Sequence, residues 1–208
     1  MPTGGLEGNG AKMERKASLQ RKTKETEVKL TLDLDGRGRS KIDTGIPFLD
    51  HMLTLMAAHG FLDLEVVARG DTQVDYHHTV EDIGICLGNA IAEALGNKEG
   101  IRRYGQATIP MDEALARVVI DISNRPFLAY RVSLKESKTG SFDVNLLGEF
   151  FRALVHNSGI TMHVDLVCGG DAHHSAESIF KAFARALDLA TSIETRLQGS
   201  VPSTKGLL

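Results

Sequence analysis

The sequence predicts an α/β protein, of the two-layer α+β kind, built from an internally duplicated β-β-α-β-α unit. Three observations point to it. Apolar residues switch from strand-like alternation to helical spacing, and the second half repeats the order of the first. DYHHTVED at residues 75–82 returns as DAHHSAES at 171–178, so His-His-x-x-Glu occurs twice, at 77–81 and 173–177. FLDHML at 48–53 also matches LLGEFF at 146–151, and both matches share a period of roughly 100 residues.

Taken in order, residues 1–20 are Gly-rich without periodicity and are expected to be flexible. The basic run AKMERKASLQRKTK at 11–24 reads as a solvated segment. The first unit is placed at 21–106. Its TEVKLTLDLDGRGRSKIDTG alternates around an Asp-Gly turn, which predicts a hairpin. IPFLDHMLTLMAAHG has helical spacing and stops at Gly60. FLDLEVVARG predicts a strand, and TVEDIGICLGNAIAEALG predicts a helix with the first His-His at its start. The second unit is placed at 107–198. EALARVVIDIS and PFLAYRVSLKE predict paired strands joined through Asn124, Arg125 and Pro126. FDVNLLGEFFRALVHNSG predicts a helix ending at Gly159, ITMHVDLVCGG a strand, and HHSAESIFKAFARALDLATSIETRL a long closing helix. Each unit then sets two helices on one face of a small mixed sheet. Residues 199–208 remain as a tail.

Bulk properties narrow the function. A net charge of −3 gives no support to nucleic-acid binding. Cys86 and Cys168 lie far apart with no Cys-x-x-Cys spacing, which argues against a disulfide framework or thiolate zinc site and fits a reducing compartment. No apolar run approaches the roughly eighteen residues of a membrane span, and no basic-then-apolar leader opens the chain. The expected location is the cytoplasm, without a membrane partner.

The repeated motif carries the chemistry. On a helix, residues four apart share a face, whereas neighbours diverge by about 100°. His77 and Glu81 therefore converge while His78 points elsewhere, and the same holds for His173, Glu177 and His174. The second match sets His51 opposite Glu149 on equivalent helices. Eight imidazoles and carboxylates result, enough for two ions with four protein ligands each. A six-coordinate ion would keep two positions open for substrate, as catalytic sites do. With no thiolate, the set admits Mn, Fe, Zn or Ni.

Six stretches together resemble the imidazoleglycerol-phosphate dehydratase family: ETEVKLTLDLDG, TGIPFLDHML, DYHHTVEDIGICLG, FFRALVHNSGITMHV, AHHSAESIFKAFARAL and the terminal PSTKG. The resemblance runs from about residue 20 to the C-terminus. It implies a duplicated fold of the ribosomal-protein-S5-domain-2-like type and a large cubic assembly of trimers, a 24-mer, with active sites between subunits. It also implies two manganese ions per site, held by His51, His77, His78, Glu81, Glu149, His173, His174 and Glu177. A glutamate stands at 149 where other members have histidine, and Thr54-Leu55 stands where many have Asp-Gln. The resemblance assigns Glu25 to substrate contact and proton transfer, and Arg103, Arg125, Lys181, Ser203 and Lys205 to the substrate phosphate, the last two from the tail.

The implied reaction, a step of histidine biosynthesis, dehydrates imidazoleglycerol phosphate to imidazole-acetol phosphate. The hydrogen lost is not activated by a carbonyl, so a simple base is inadequate. A metal lowers the pKa of bound water from about 15.7 to about 7. Comparable polarisation would hold the imidazole ring as an imidazolate, which expels the neighbouring hydroxyl to leave a diazafulvene. Glu25 or Glu177 then helps remove the acidified proton. Two other readings use the same residues: a dinuclear hydrolase of phosphate esters, for which the Asp-rich metal motifs are missing, and a non-enzymatic assembly held by shared ions.

Overall fold

The computed structural model describes residues 14–208. The first unit comprises β1 (Lys16–Lys22), β2 (Thr26–Asp33), β3 (Ser40–Asp43), α1 (Pro47–Gly60), β4 (Asp63–Gly70) and α2 (His77–Leu95). The second comprises β5 (Tyr104–Met111), β6 (Ala114–Asp121), β7 (Phe127–Arg131), α3 (Leu146–Ser158), β10 (Thr161–Cys168) and α4 (Ala172–Thr191). A small ribbon, β8 (Lys138–Thr139) with β9 (Phe142–Asp143), is inserted before α3. Each half thus holds the expected β-β-α-β-α order, preceded by one further strand.

That further strand revises the expectation for the N-terminus. Residues 16–20 form a strand: β1 pairs antiparallel with β2 from Lys16↔Asp33 to Lys22↔Glu27. Composition concealed it because the strand is mostly polar and only Ala17 is fully buried. Its charges are neutralised instead. Lys22 bonds Glu27 of β2 at 2.9 Å, and Arg21 bonds the buried Asp82 of α2 at 2.8 Å. Residues 1–13 lie outside the described residues. The counterpart β5 crosses the expected division at 106–107.

Neither predicted hairpin forms. The sheets run β1-β2-β4-β3 and β5-β6-β10-β7, so β4 separates β2 from β3 and β10 separates β6 from β7. β3 lies parallel to β4, and β7 parallel to β10. The side chains that open β4 and β10 redirect the two turns. Asp63 accepts the amides of Arg37 and Arg39 at 2.8 and 2.9 Å, wrapping the Asp-Gly turn over the start of β4. Thr161 takes the same place on β10, donating its hydroxyl to the Arg125 carbonyl at 2.8 Å. Alternation predicts a strand correctly; which neighbour it chooses depends on such contacts.

The helices lie between the sheets. α1 packs on β3 and α4, α2 on β1, β2 and α3, and α4 on β5 and β6, giving one continuous apolar core. Phe150, Phe151, Phe180 and Phe183 meet at its centre, with ring centroids 5.1 to 5.5 Å apart. α2 approaches α3 closely at Gly84 and Gly88, where a Cβ would come within 2.6 Å of the Phe150 carbonyl and 2.5 Å of the Leu154 carbonyl. Backbone cannot yield as a flexible side chain can. Gly88→Ala is therefore expected to destabilise the chain by roughly 1–3 kcal/mol, read as a lowered denaturant midpoint.

Candidate active site

Two aspartates set both His-His pairs in the first turn of a helix. Asp75 accepts the backbone N–H of His77 at 2.7 Å at the start of α2. Asp171, the N-cap of α4, accepts the N–H of His174 at 2.9 Å. Helix geometry then separates each pair, and the two rings lie almost perpendicular, at 88° in both.

The first histidine of the second pair joins a cluster spanning both units. Packing of α1 against α4 brings His51 Nε2 to 2.9 Å from Glu177 Oε1, and His173 Nε2 lies 3.1 Å from the same oxygen. Lys181 donates to the other oxygen at 2.6 Å. Burial pushes the Glu177 carboxyl up, but Lys181, His51 and His173 outweigh it and hold the group at about 2. The ligand atoms of His51, His173 and Glu177 all lie within 4.8 Å of one another. Two imidazoles and an ionised carboxylate at that spacing fit a divalent cation.

His78 turns to a second group with Glu25 and Asp71, whose ligand atoms meet the same limit. Its Nδ1 is 3.0 Å from Asp71 and 3.7 Å from Glu25. His174 turns to Glu113, 2.8 Å from its Nδ1. His77 and Glu81 share a face of α2 at 3.9 Å. Glu149, opposite His51 in the repeat, pairs instead with Arg152. Thr54 donates to the Asp50 carbonyl at 2.8 Å within α1, and Leu55 packs against the core. His59, His156 and His163 belong to neither cluster.

Two carboxylates were missed by the sequence reading, Asp71 and Glu113. Glu113 had a signal. It immediately precedes β6 as Glu25 precedes β2, so recognising β5 as the counterpart of β1 would have found it. Asp71 lies in the loop before α2 and had none.

The residues expected at the phosphate divide. Arg103, Arg125, Ser203 and Lys205 line one cavity of about 430 Å³. Arg103 anchors the tail there, donating to the Pro202 carbonyl at 2.9 Å while Asp121 holds its Nε at 2.7 Å. Lys181 is absent from this cavity, since Glu177 holds it. A larger cavity, about 570 Å³, beside Glu93, Asn97 and Ile193 carries none of these residues. The tail cavity lies towards the C-terminal end of α4, because the Arg103 amide bonds the Ala190 carbonyl at 2.9 Å. The Glu177 cluster lies at the opposite end. From His173 to Ala190 the helix rises roughly 25 Å at about 1.5 Å per residue.

Among the described residues no helix is long and apolar enough to cross a membrane, and both cysteines are free. Residues 44–187 match the family model of imidazoleglycerol-phosphate dehydratase. The dehydratase of Geobacter sulfurreducens is 59% identical over 196 residues, covering 94% of this chain and all of the relative. That of Thioalkalivibrio sulfidiphilus is 55% identical, over 94% of this chain and 99% of the relative. The crystal structure of the Staphylococcus aureus dehydratase superposes with a TM-score of 0.79 at 45% identity, covering 86% of this chain and 99% of that one. The Pyrococcus furiosus enzyme, solved in complex with (S)-C348, gives 0.79 at 38% identity, covering 91% of this chain and all of that one. With sequence, fold and a histidine–carboxylate cluster in agreement, the chain belongs to the imidazoleglycerol-phosphate dehydratase family, hydro-lyases of histidine biosynthesis.

Proposed function

We propose that the chain dehydrates imidazoleglycerol phosphate to imidazole-acetol phosphate at a dinuclear manganese site, in a cytoplasmic homo-oligomer. The observation that carries this reading is the convergence of His51 and His173 on the ionised Glu177, in reach of one cation. His77, His78, Glu81, Glu149 and His174 complete the proposed ligand set. Ions held by this set would supply polarisation that acidifies an imidazole ring.

The chain's own residues perform the rest. Glu25, exposed at the β1–β2 turn beside His78, is free to accept the proton from the neighbouring carbon. Glu177 stays ionised at neutral pH and orients both of its histidines. Arg103, Arg125, Ser203 and Lys205 hold the phosphate by charge-assisted and hydroxyl hydrogen bonds, fixing the reacting carbon.

The separation along α4 supports active sites shared between subunits. Three carbons and an ester oxygen span under about 8 Å at ordinary bond lengths. One substrate therefore cannot reach from the tail cavity to the Glu177 cluster of the same chain. On this reading a neighbouring subunit brings the second half of the site, in keeping with the cubic 24-mer implied by the resemblance. Lys181, beside Glu177, would then reach the phosphate only where such a neighbour docks.

The test is mass-spectrometric turnover of imidazoleglycerol phosphate. Water loss of 18 mass units is expected with manganese present. Chelation is expected to stop it and manganese to restore it. Metal-loaded protein that leaves the substrate intact would end the proposal.

A further inference from the structure

The second histidine of each pair turns its Nδ1 onto a carboxylate from another segment. Asp71 sets both oxygens near His78 Nδ1, at 3.0 and 3.3 Å. Glu113 lies 2.8 Å from His174 Nδ1 and accepts the Asp171 amide at 2.9 Å. Asp171 in turn accepts the His174 amide, so Glu113, Asp171 and His174 close a ring of hydrogen bonds around the start of α4. The two carboxylates are not counterparts in the repeat. Asp71 follows β4, whereas Glu113 sits in the β5–β6 turn. The units reach the same arrangement from different positions.

An imidazole whose Nδ1 faces a carboxylate carries its proton there and leaves the Nε2 lone pair for a metal. Among the described residues neither Nε2 makes a hydrogen bond, and His174 Nε2 stands 3.9 Å from Asp112. We propose that Asp71 and Glu113 are positioning residues that hold His78 and His174 as Nε2 ligands, and are not ligands themselves. This rests on the metal-binding reading of the two histidines. The competing arrangement, an ion seated among Glu25, Asp71 and His78, would displace the bond that Asp71 makes to Nδ1. It would also have no match in the second unit, where the nearest carboxylate again takes Nδ1.

The experiment is a competition titration of manganese against a metallochromic chelator, using the full chain and Asp71→Ala, Glu113→Ala and Glu113→Asp. Circular dichroism of the metal-free proteins verifies that each variant is folded. Each Ala variant is expected to keep the number of ions bound at saturation but to lose roughly 10- to 100-fold in affinity. Glu113→Asp should recover part of that loss. A variant that binds one ion fewer would overturn the proposal by making its carboxylate a ligand. Affinities within twofold of the unmodified chain would overturn it by leaving the carboxylates structural. Failure of the unmodified chain to bind manganese would sink the underlying metal reading instead.

Discussion

Glu177→Gln is expected to lower turnover of imidazoleglycerol phosphate by roughly 10³-fold or more. The substitution preserves shape and removes only charge. His51, His173 and Lys181 all meet Glu177, at 2.9, 3.1 and 2.6 Å. A neutral amide cannot act as an anionic ligand, and it presents a donor where three donors already converge. Lys181 would lose its counter-charge in a mostly buried position, its side chain being 14% exposed. Breaking such a pair costs about 3 kcal/mol in the metal-free chain.

The pH dependence of metal-free stability gives a second reading of the same residue. The ordinary value for this carboxyl is 4.5 and the folded value about 2. A depressed value means the folded state favours the ionised form. Its contribution is complete above the ordinary value and is lost as pH falls towards the folded one. The unmodified chain should therefore weaken across that acid interval, and Glu177→Gln should flatten this part of the curve. Turnover within tenfold of the unmodified chain would remove Glu177 from the reaction centre.

Loss of the tail cavity is expected to have the next largest effect. Arg125 is exposed, its side chain held by an ion pair to Asp121 at 3.6 Å and a hydrogen bond to the Ser123 carbonyl at 3.3 Å, so Arg125→Ala should raise KM roughly 10- to 100-fold with kcat less affected. Arg103→Ala should cost more. Its guanidinium also holds Asp121 and the Pro202 carbonyl, so the same change releases the segment that brings Ser203 and Lys205. A fall in kcat/KM of roughly 10³-fold is the expected sum of a lost phosphate contact and a loosened tail. Inorganic phosphate is expected to compete weakly with substrate in the unmodified chain and to lose that competition in this variant. Unchanged KM in Arg125→Ala would remove that arginine from phosphate binding.

Much of this protein is local in origin, and those parts were readable from the chain. α1, α2 and β4 begin and end close to where spacing and turn residues place them, and α4 begins there too but stops at Thr191, short of the predicted end at Leu197. The divergence of His77 from His78, and of His173 from His174, follows from helix geometry alone. What misled was pattern without partner. TEVKLTLDLDGRGRSKIDTG alternates as a hairpin does, yet Asp63 captures its turn and β4 enters between the strands. β1 and β5 went unread because an edge strand buries little, and charge pairs hold β1 alongside the packing of Ala17 and Leu19.

The sequence by itself determined the duplicated elements, the first-turn position of each His-His pair and the imidazole–carboxylate character of the site, because all three depend on residues a few positions apart. Tertiary structure decided which of those groups meet. His51 and Glu177 lie 126 residues apart and touch because α1 packs on α4. Asp71 and Glu113 reach equivalent imidazoles from unrelated segments, and the tail cavity opens at the far end of the helix that carries His173. Contacts of that range depend on how whole helices and sheets pack, which no local pattern encodes.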